Sequence, residues 1–545
     1  MGGDILIIAP KGYPVECLEP QIKLFSPELA PGMLLGDAQV GMCVFHKKNM
    51  LKKSKIMTDQ KTIPFHSIYA GLPERFYQPL GATDFPELKL LKWNEELGQK
   101  LQIDRNQWSD EELALIFSGK KLFPQSKPLA QAYSGHQFGN FNPHLGDGRA
   151  LLLGELKDQN GKYFDIHLKG SGPTQFSRRG DGKANLAAVI REYIVSEAMH
   201  ALNIPASRTL AIIATGETVH RETEQPGAIL VRVASSHIRV GTFEYFMSRK
   251  DMDSQRILAD FVIDRHDPDL SKNAGGYLKL FSRIIERQAR LVSQWMSVGF
   301  IHGVMNTDNT FISGETLDFG PCAFMEDYNP LAVFSSIDQN GRYAYVRQPE
   351  IMQWNLTCLG QCFLNFIDGD KEFLKNEIVN GINGFSKTFF DIHLKTIGEK
   401  FGISSTQQED MNLMQNFLKI LQNEKKDYTN SFRRLSQQIE TEHTDEFFGS
   451  TEMQSWLEEW RIRLSLQNHT ASAVQKLMDS KNPAYIPRNH RVEEAIRFAV
   501  DKNDFSKFEK LVTVLKNPFI EQTGMAEYFL PATAEQAVTE TFCNT

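Results

Sequence analysis

Apolar positions in the first half of the chain follow the spacing of strands, with several helical segments among them. Residues 186–202 place apolar side chains at helical spacing. Residues 65–118 are predicted to form turns and short helices, including 88–101 and a helix capped by Ser109. The predicted strands, of which the first two form a hairpin, span residues 149–156, 163–168, 209–214, 219–221 and 228–234.

The second half of the chain is helical in pattern. Residues 276–299 form a long amphipathic helix with a continuous apolar stripe. Strands followed by helices in this order predict the α+β class. Further helices are predicted at residues 373–382, 408–421, 428–441, 453–466, 492–500 and 505–515.

The first 56 residues differ from the rest of the chain because they hold five prolines and a basic run that ends at Lys55. Their apolar run is short and follows an acidic residue, which does not fit a secretory signal. They contain no arginine, which argues against a mitochondrial transit peptide. We therefore expect residues 1–56 to be a poorly ordered or non-native extension, with the functional chain beginning near Met57.

The bulk composition is typical of a globular enzyme. A chain of 545 residues exceeds what one hydrophobic core usually serves, so two or more packed lobes are expected. The net charge of −7 gives no support for binding nucleic acid or an anionic membrane, and no apolar run reaches the roughly 20 residues of a membrane helix. Six cysteines do not make a disulfide framework. Cys358 and Cys362 lack a second pair at zinc spacing, so we expect structural thiols.

Candidate metal chemistry is concentrated in residues 300–320. Asn309 and Asp318 lie nine residues apart, and two short strands around the intervening turn would bring them side by side. An amide oxygen and a carboxylate suit Mg²⁺ or Mn²⁺, and protein kinases bind metal with the same residue types. His302 and Asn309 keep the kinase spacing of seven. Val304, however, occupies the position of the kinase catalytic aspartate and cannot accept a proton.

Two glycine-rich loops are candidate phosphate cradles. Residues 146–149 (Gly-Asp-Gly-Arg) offer backbone N–H groups and a guanidinium, although a mere tight turn explains the pattern at least as well. Residues 170–183 combine four glycines with Arg178, Arg179 and Lys183, which is more charge than solvation requires.

Lys169 ends a predicted strand and is followed by the helix 186–202, which carries two candidate partners, Glu192 and Glu197. A strand lysine paired with a helix glutamate is the phosphate-anchoring arrangement of kinases. Arg232 lies in an apolar strand and therefore needs an anionic partner. That partner is either a carboxylate or a phosphate.

These segments together resemble the SelO/YdiU family of selenoprotein O-like pseudokinases, which act as protein adenylyltransferases. The resemblance covers the chain from about residue 65 to its end and places the start of the family's sequence near Met57. It rests on Y-S-G-H-Q-F-G (133–139), L-G-D-G-R-A (145–150), H-L-K-G-S-G-P-T-Q-F-S-R-R-G-D-G (167–182), H-G-V-M-N-T-D-N (302–309) and L-D-F-G-P (317–321).

The resemblance implies a protein-kinase-like two-lobe fold with N-terminal and helical C-terminal extensions. In this fold ATP binds reversed, so that its α-phosphate faces the acceptor hydroxyl. The implied domains are an N-terminal segment with the nucleotide-binding lobe (57–245), a lobe with the metal loop (246–430) and a helical region with a redox-type tail (431–545).

The same resemblance implies roles for individual residues. Asp308 accepts the proton of the hydroxyl, Asn309 and Asp318 bind Mg²⁺ or Mn²⁺, and Glu192 pairs with Lys169. The residues implied to contact the nucleotide are Gly146, Gly148, Arg149, Lys169, Asp181, Gly182, Arg232, Arg239 and Asp318.

The C-terminal tail carries a further implied feature. Cys543 is third from the C-terminus, where eukaryotic members of the family carry selenocysteine. Members can join this residue by a disulfide to an activation-loop cysteine, for which Cys322 is the candidate here. A cysteine rather than selenocysteine, without a transit peptide, indicates a bacterial cytoplasmic protein.

Three functions are compatible with these features. The first is transfer of AMP from ATP to Ser, Thr or Tyr hydroxyls of proteins, with UMP transfer from UTP as a variant. The second is an ordinary phosphotransferase whose base is displaced to Asp308. The third is an inactive nucleotide-binding scaffold, against which the paired Asn309 and Asp318 argue. We expect neither nucleic acid nor a membrane as a partner.

Overall fold

A computed structural model of the protein describes residues 61–221, 223–439 and 446–542. The predicted N-terminal extension and Cys543 lie outside the described residues. Among the described residues, no helix combines the length and the apolar character needed to cross a bilayer.

The strands are concentrated between residues 77 and 234. Seven of them form one sheet in the order β1-β3-β6-β7-β9-β8-β2, and neighbouring strands are antiparallel. Two further pairs, β4 with β5 and β10 with β11, form small separate sheets. The strands are β1 (Tyr77–Pro79), β2 (Lys89–Trp93), β3 (Leu129–Gln131), β4 (Gly135–Gln137), β5 (Asn140–Asn142), β6 (Ala150–Lys157), β7 (Tyr163–Lys169), β8 (Arg208–His220), β9 (Glu224–Ala234), β10 (Phe300–Ile301) and β11 (Ala323–Phe324).

The hairpin of β6 and β7 forms as predicted because its turn is specified locally. Asp158 Oδ1 accepts hydrogen bonds of 2.9 Å from the backbone N–H groups of Asn160 and Lys162. Gly161 has a φ of +77°, a left-handed conformation that glycine adopts without strain. The register pairs Ala150 with Lys169, so the predicted anchoring lysine ends the inner strand.

The prediction of a helix over residues 88–101 is wrong in its first half. That half is strand β2, which pairs with β8, and the helix begins only after Asn94. The side chain of Asn94 accepts the N–H of Leu97, which caps a new helix at this point. Pairing with a strand distant in sequence outweighs the local helical spacing of the apolar residues.

The helices dominate the chain after residue 240. The first three, α1 (Glu95–Lys100), α2 (Asp110–Phe117) and α3 (Leu186–Ala201), accompany the large sheet. The others are α4 (Val240–Ser248), α5 (Met252–His266), α6 (Ala274–Ser297), α7 (Gln348–Phe366), α8 (Lys371–Lys400), α9 (Asp410–Glu424), α10 (Tyr428–Leu435), α11 (Thr451–Ser465), α12 (Ala471–Lys481), α13 (Asn489–Lys502), α14 (Ser506–Leu515) and α15 (Ala526–Phe529).

Most predicted helices are confirmed, with changed bounds. The helix predicted from residue 373 belongs to α8, and the one predicted over 428–441 ends at Leu435. The capping box predicted at Ser109 is present, with reciprocal hydrogen bonds between Ser109 and Glu112. One antiparallel sheet combined with a separate set of helices agrees with the predicted α+β class.

Candidate nucleotide and metal site

The loop between β10 and β11 is held by a buried histidine. His302 Nε2 lies 2.9 Å from the carbonyl oxygen of Leu317, and the N–H of Val304 donates to His302 Nδ1 at 3.3 Å. Because Nδ1 accepts a hydrogen bond, it carries no proton, so Nε2 carries the ring proton and donates to the carbonyl oxygen of Leu317. Burial also lowers the pKa of His302, which favours this neutral ring. The histidine thus fixes the backbone immediately before Asp318.

Asn309 and Asp318 lie on segments that a single antiparallel bridge, Thr310 with Thr316, brings together. The predicted pair of short strands is therefore reduced to one bridge. Asn309 Nδ2 donates to the carbonyl oxygen of Val304 at 3.2 Å, which leaves its side-chain oxygen as a possible ligand. Asp318 adopts a left-handed φ of +66°.

The carboxylate of Asp318 fits a cation. Within the described residues its Oδ1 is buried and accepts no hydrogen bond, and Lys169 Nζ lies 3.7 Å from it. Burial disfavours the charged form, but Lys169, Arg232 and Arg149 outweigh burial and hold the pKa of Asp318 well below its usual value. An ionised carboxylate with an unfilled acceptor oxygen is a ligand suited to Mg²⁺ or Mn²⁺.

Asp308, the residue predicted to accept the proton, lies in a buried pocket of polar and charged groups. Its side chain is buried, Oδ2 accepts a hydrogen bond of 3.2 Å from Gln137 Nε2, and Oδ1 accepts none among the described residues. Burial raises the pKa of Asp308 to about 6, against the opposing effects of Arg239 and Gln137. A Cβ on Gly135 would come within 2.6 Å of Asp308 Oδ1, so this close approach requires glycine.

Glu192 binds both Lys169 and Arg232. Lys169 Nζ donates to Glu192 Oε2 at 2.6 Å, and Arg232 contacts both oxygens of the same carboxylate, with Nη2 3.0 Å from Oε2. The carboxylate predicted as one possible partner of Arg232 is therefore present, and a phosphate contact stays a prediction. Glu197, the competing partner for Lys169, instead accepts from Arg208 at 2.6 Å.

The two glycine-rich loops pack against each other. Gly146 has a φ of +94°, and a Cβ at Gly148 would lie 2.8 Å from the carbonyl oxygen of Phe176. Thr174 Oγ1 donates to the carbonyl oxygen of Asp147 at 2.7 Å, and Ser177 Oγ donates to that of Gly148. The turn at 146–149 is therefore braced by the second loop, whose contacts satisfy these carbonyl groups.

The end of the second loop has different surroundings. Asp181 is exposed and pairs with Arg221 at 2.8 and 2.9 Å. Gly182 has a φ of +70°, and a Cβ there would collide with the backbone of Gly172. The contacts of Asp181 therefore go to Arg221, not to the cluster around Lys169.

Arg239 joins the turn at 146–149 to the proposed base. Its Nη1 donates to the carbonyl oxygen of Asp308 at 2.9 Å, and its Nη2 lies 3.6 Å from Asp147 Oδ1. The guanidinium also lies over the ring of Tyr133, 4.1 Å from its centroid.

Comparison with known proteins identifies the family of the chain. A family model described as "Protein adenylyltransferase SelO" matches residues 60–516. The chain belongs to the SelO family. It is 50% identical over 487 residues to "Protein nucleotidyltransferase YdiU" of Rhizobium johnstonii, which covers 88% of this chain and 97% of the relative. The protein of the same name from Rhodopseudomonas palustris is 47% identical over 88% of this chain and 99% of its own length.

Membership of the SelO family confirms the resemblance inferred from the motifs, but sequence reasoning missed several contacts of the site. Asp147 was noted only as part of a glycine turn, yet it is buried and accepts from His167 Nε2 at 3.1 Å and from the N–H of Gln131 at 3.0 Å. Gln137 lies in a glycine-rich motif whose sequence does not indicate its contact with Asp308. The signal for both was a polar residue between glycines.

Of the two cysteines predicted to form a redox pair, Cys322 and Cys543, the structure describes Cys322. Cys322 is a buried free thiol that donates to the carbonyl oxygen of Phe319 at 3.3 Å. Burial raises the pKa of Cys322 to about 12. Thr541 Oγ1 donates to the carbonyl oxygen of Pro321 at 2.6 Å, so the chain two residues before Cys543 contacts the residue before Cys322. The disulfide itself stays a prediction.

Proposed function

We propose that this chain is a metal-dependent protein nucleotidyltransferase that transfers AMP from ATP to Ser, Thr or Tyr hydroxyls of proteins. The observation that carries the proposal is that a buried carboxyl group lies at residue 308 and not at residue 304. Asp308 is buried, and one of its oxygens accepts no hydrogen bond from the part of the chain that the structure describes, whereas the position of the kinase base is occupied by the buried and apolar Val304. The chain belongs to a family described as protein adenylyltransferases, and its relatives are named protein nucleotidyltransferases.

The proposed fold is protein-kinase-like with two lobes, over the domains 57–245, 246–430 and 431–545. The contact of Lys169 at the end of β7 with Glu192 on α3 supports it, because kinases join a strand lysine to a helix glutamate in the same way. ATP is proposed to bind reversed, with its phosphates near Lys169, Arg232 and Arg149. Gly146, Gly148, Asp181, Gly182 and Arg239 are proposed to complete the nucleotide contacts.

Asn309 and Asp318 would hold Mg²⁺ or Mn²⁺, which when bound neutralises the charge that develops on the phosphates. Asp308 takes the proton of the acceptor hydroxyl, whose oxygen bonds to the α-phosphorus. The bond from that phosphorus to the bridging oxygen of the β-phosphate breaks, and pyrophosphate leaves. Lys169 and Arg232 orient the phosphate chain for this in-line displacement. The cytoplasmic location and the lack of a nucleic-acid partner stay predictions.

The experiment that tests the function compares ATP labelled at the α-phosphate with ATP labelled at the γ-phosphate. We expect label from the α-position on the protein itself or on an added protein, with a mass gain of AMP and release of pyrophosphate. Label from the γ-position would show an ordinary phosphotransferase, and no transfer from either would show a scaffold. Labelled UTP, assayed in parallel, decides whether UMP is the transferred group.

The role of Asp308 is tested in the same assay. Asp308→Asn keeps the shape of the side chain and removes its basicity, so transfer should slow by roughly 10²–10⁴ while ATP still binds. Asp251→Asn, at the N-terminus of α5, is the matched control because Asp251 caps a helix and has no proposed role in transfer. Equal rates in the two variants would remove Asp308 as the base.

A further inference from the structure

Three potential metal ligands from distant parts of the chain lie close together next to Thr307, the residue before Asp308. His136 lies on β4, Glu244 on α4 and Cys358 on α7, and their ligand atoms all lie within 4.8 Å of one another. His136 Nδ1 is 2.6 Å from Glu244 Oε1. The side chain of Glu244 is fully buried, Cys358 is buried, and 22% of the His136 side chain is exposed. The group is therefore enclosed, with one edge open to solvent.

We propose that His136, Glu244 and Cys358 form a zinc site, separate from the site of Asn309 and Asp318. An imidazole nitrogen, a carboxylate oxygen and a thiolate sulfur are the ligands that zinc takes, whereas Mg²⁺ and Mn²⁺ prefer oxygen donors. Three protein ligands leave a fourth tetrahedral position for water, on the open side of His136. The two sites thus differ in the kind of ion that each would select.

The charges of the site suit a buried divalent ion. Binding Zn²⁺ releases the thiol proton of Cys358, and one thiolate and one carboxylate then balance the two positive charges of the ion. A neutral assembly of this kind avoids the cost of an unpaired charge in a buried place. The neutral imidazole of His136 supplies the third ligand without changing this balance.

The geometry requires only small movements. Zinc bonds of about 2.0–2.3 Å in a tetrahedron hold neighbouring ligand atoms roughly 3.3–3.7 Å apart. His136 Nδ1 and Glu244 Oε1 would therefore separate by less than about 1 Å to admit the ion, which a small side-chain rotation provides. Cys358 needs no partner from its own helix, which explains why the spacing of Cys358 and Cys362 did not indicate a zinc site.

The site would brace the residue next to the proposed base. Glu244 Oε2, the oxygen turned away from His136, accepts from Thr307 Oγ1, and the backbone N–H of His136 donates to the same hydroxyl at 2.7 Å. Gln137, adjacent to His136, donates to Asp308. A zinc ion on Oε1 leaves these bonds in place and fixes the segments that carry them.

The test measures zinc in the purified full chain without ATP, so its outcome is independent of the proposed nucleotide transfer. Protein is stripped with a chelator, incubated with Zn²⁺ in excess Mg²⁺, desalted and analysed by elemental mass spectrometry. We expect about one zinc per chain. Cys358→Ser should weaken zinc binding by more than the roughly 10–100-fold that loss of an outer hydrogen-bond partner causes, because a direct ligand is lost.

Two further variants make the result specific. Cys362→Ser, one turn along α7, is the matched control because Cys362 is an equally buried thiol outside the triad, and it should bind zinc like the unmodified chain. Asp318→Ala should also keep its zinc, since its carboxylate belongs to the other site. Circular dichroism checks that each variant is folded.

Cobalt gives a direct view of the ligands. Co²⁺ in place of zinc should produce a thiolate-to-cobalt charge-transfer band that Cys358→Ser loses and Cys362→Ser keeps. Absence of zinc from the unmodified chain, or equal zinc content in the unmodified chain and Cys358→Ser, would overturn the proposal. Loss of zinc in Asp318→Ala would overturn it as well, because the ion would then occupy the oxygen-rich site.

Discussion

Replacing Glu192 with glutamine tests the charge cluster on which nucleotide binding is proposed to depend. Glu192 neutralises two buried cations, Lys169 and Arg232, through three hydrogen bonds. Glutamine has the same shape but only one acceptor oxygen. If that oxygen keeps the contacts of Oε2, the amide nitrogen faces Arg232 Nε, and two donors then oppose each other.

The cost follows from what remains near the cations. Among the residues that the structure describes, Lys169 would keep one anionic partner, Asp318, at 3.7 Å. Removing one partner of a buried ion pair costs about 3–5 kcal/mol, because the remaining charge stays buried. Burial already lowers the pKa of Lys169, and Glu192 is the main group that opposes this effect. Without Glu192 the lysine should lose both its orientation and part of its charge.

The matched control is Glu197→Gln on the same helix. Glu197 pairs with Arg208, which keeps a second carboxylate, Glu96, at 3.3 Å. This variant should be destabilised less than Glu192→Gln and should bind ATP normally. Glu192→Gln should bind ATP about tenfold more weakly or worse, which corresponds to about 1.4 kcal/mol or more of binding free energy.

The assays are thermal melting for stability and titration calorimetry with ATP and Mg²⁺ for affinity. The calorimetry is run below the melting temperature of the weaker variant, so that affinity is compared between folded proteins. Equal ATP affinity in Glu192→Gln and Glu197→Gln would refute the role of Lys169 and Arg232 in holding phosphate. Melting of Glu192→Gln at the temperature of the unmodified chain would refute the stabilising role of the cluster.

Three other outcomes are expected. Asp318→Ala should fold but lose transfer, because the metal loses its charged ligand; normal activity with normal melting would contradict the metal assignment. If Cys322 and Cys543 pair, reductant should raise activity and Cys543→Ser should be active without it, whereas two free thiols in the oxidised protein by mass spectrometry would end this idea. Burial lowers the pKa of Lys400 from 10.5 to about 7. Between pH 7 and 10.5 the lysine is therefore protonated in the unfolded chain but largely neutral in the folded chain. The free energy of unfolding then rises with pH in this range, by at most about 1.4 kcal/mol per pH unit. Lys400→Met should therefore raise the melting temperature most near pH 7 and flatten this slope; an unchanged slope would contradict the titration.

The sequence predicts those parts of the site whose residues lie on one secondary-structure element or on two that follow each other in the chain. Lys169 and Glu192 followed from a strand that leads into a helix, and both lie where the register of β7 and the spacing of α3 put them. The partner of Arg232 stayed open because it depends on how β9 packs against α3. The helix predicted at 88–101 failed for the same reason, since β8, more than 100 residues later, pairs with its first half.

The structure offers a reason why the proposed base lies at residue 308 and not at residue 304. Val304 is 4% exposed, and a carboxylate buried at that position would need a cation to offset the cost of its burial. Asp308 has such support, because Arg239 binds its backbone and Gln137 its carboxylate. Gly135 leaves the space that the side chain occupies. These three supports come from segments 69 to 173 residues away from Asp308 in the chain, so a base at residue 308 requires the whole Tyr133–Gln137 segment and Arg239 to be retained together.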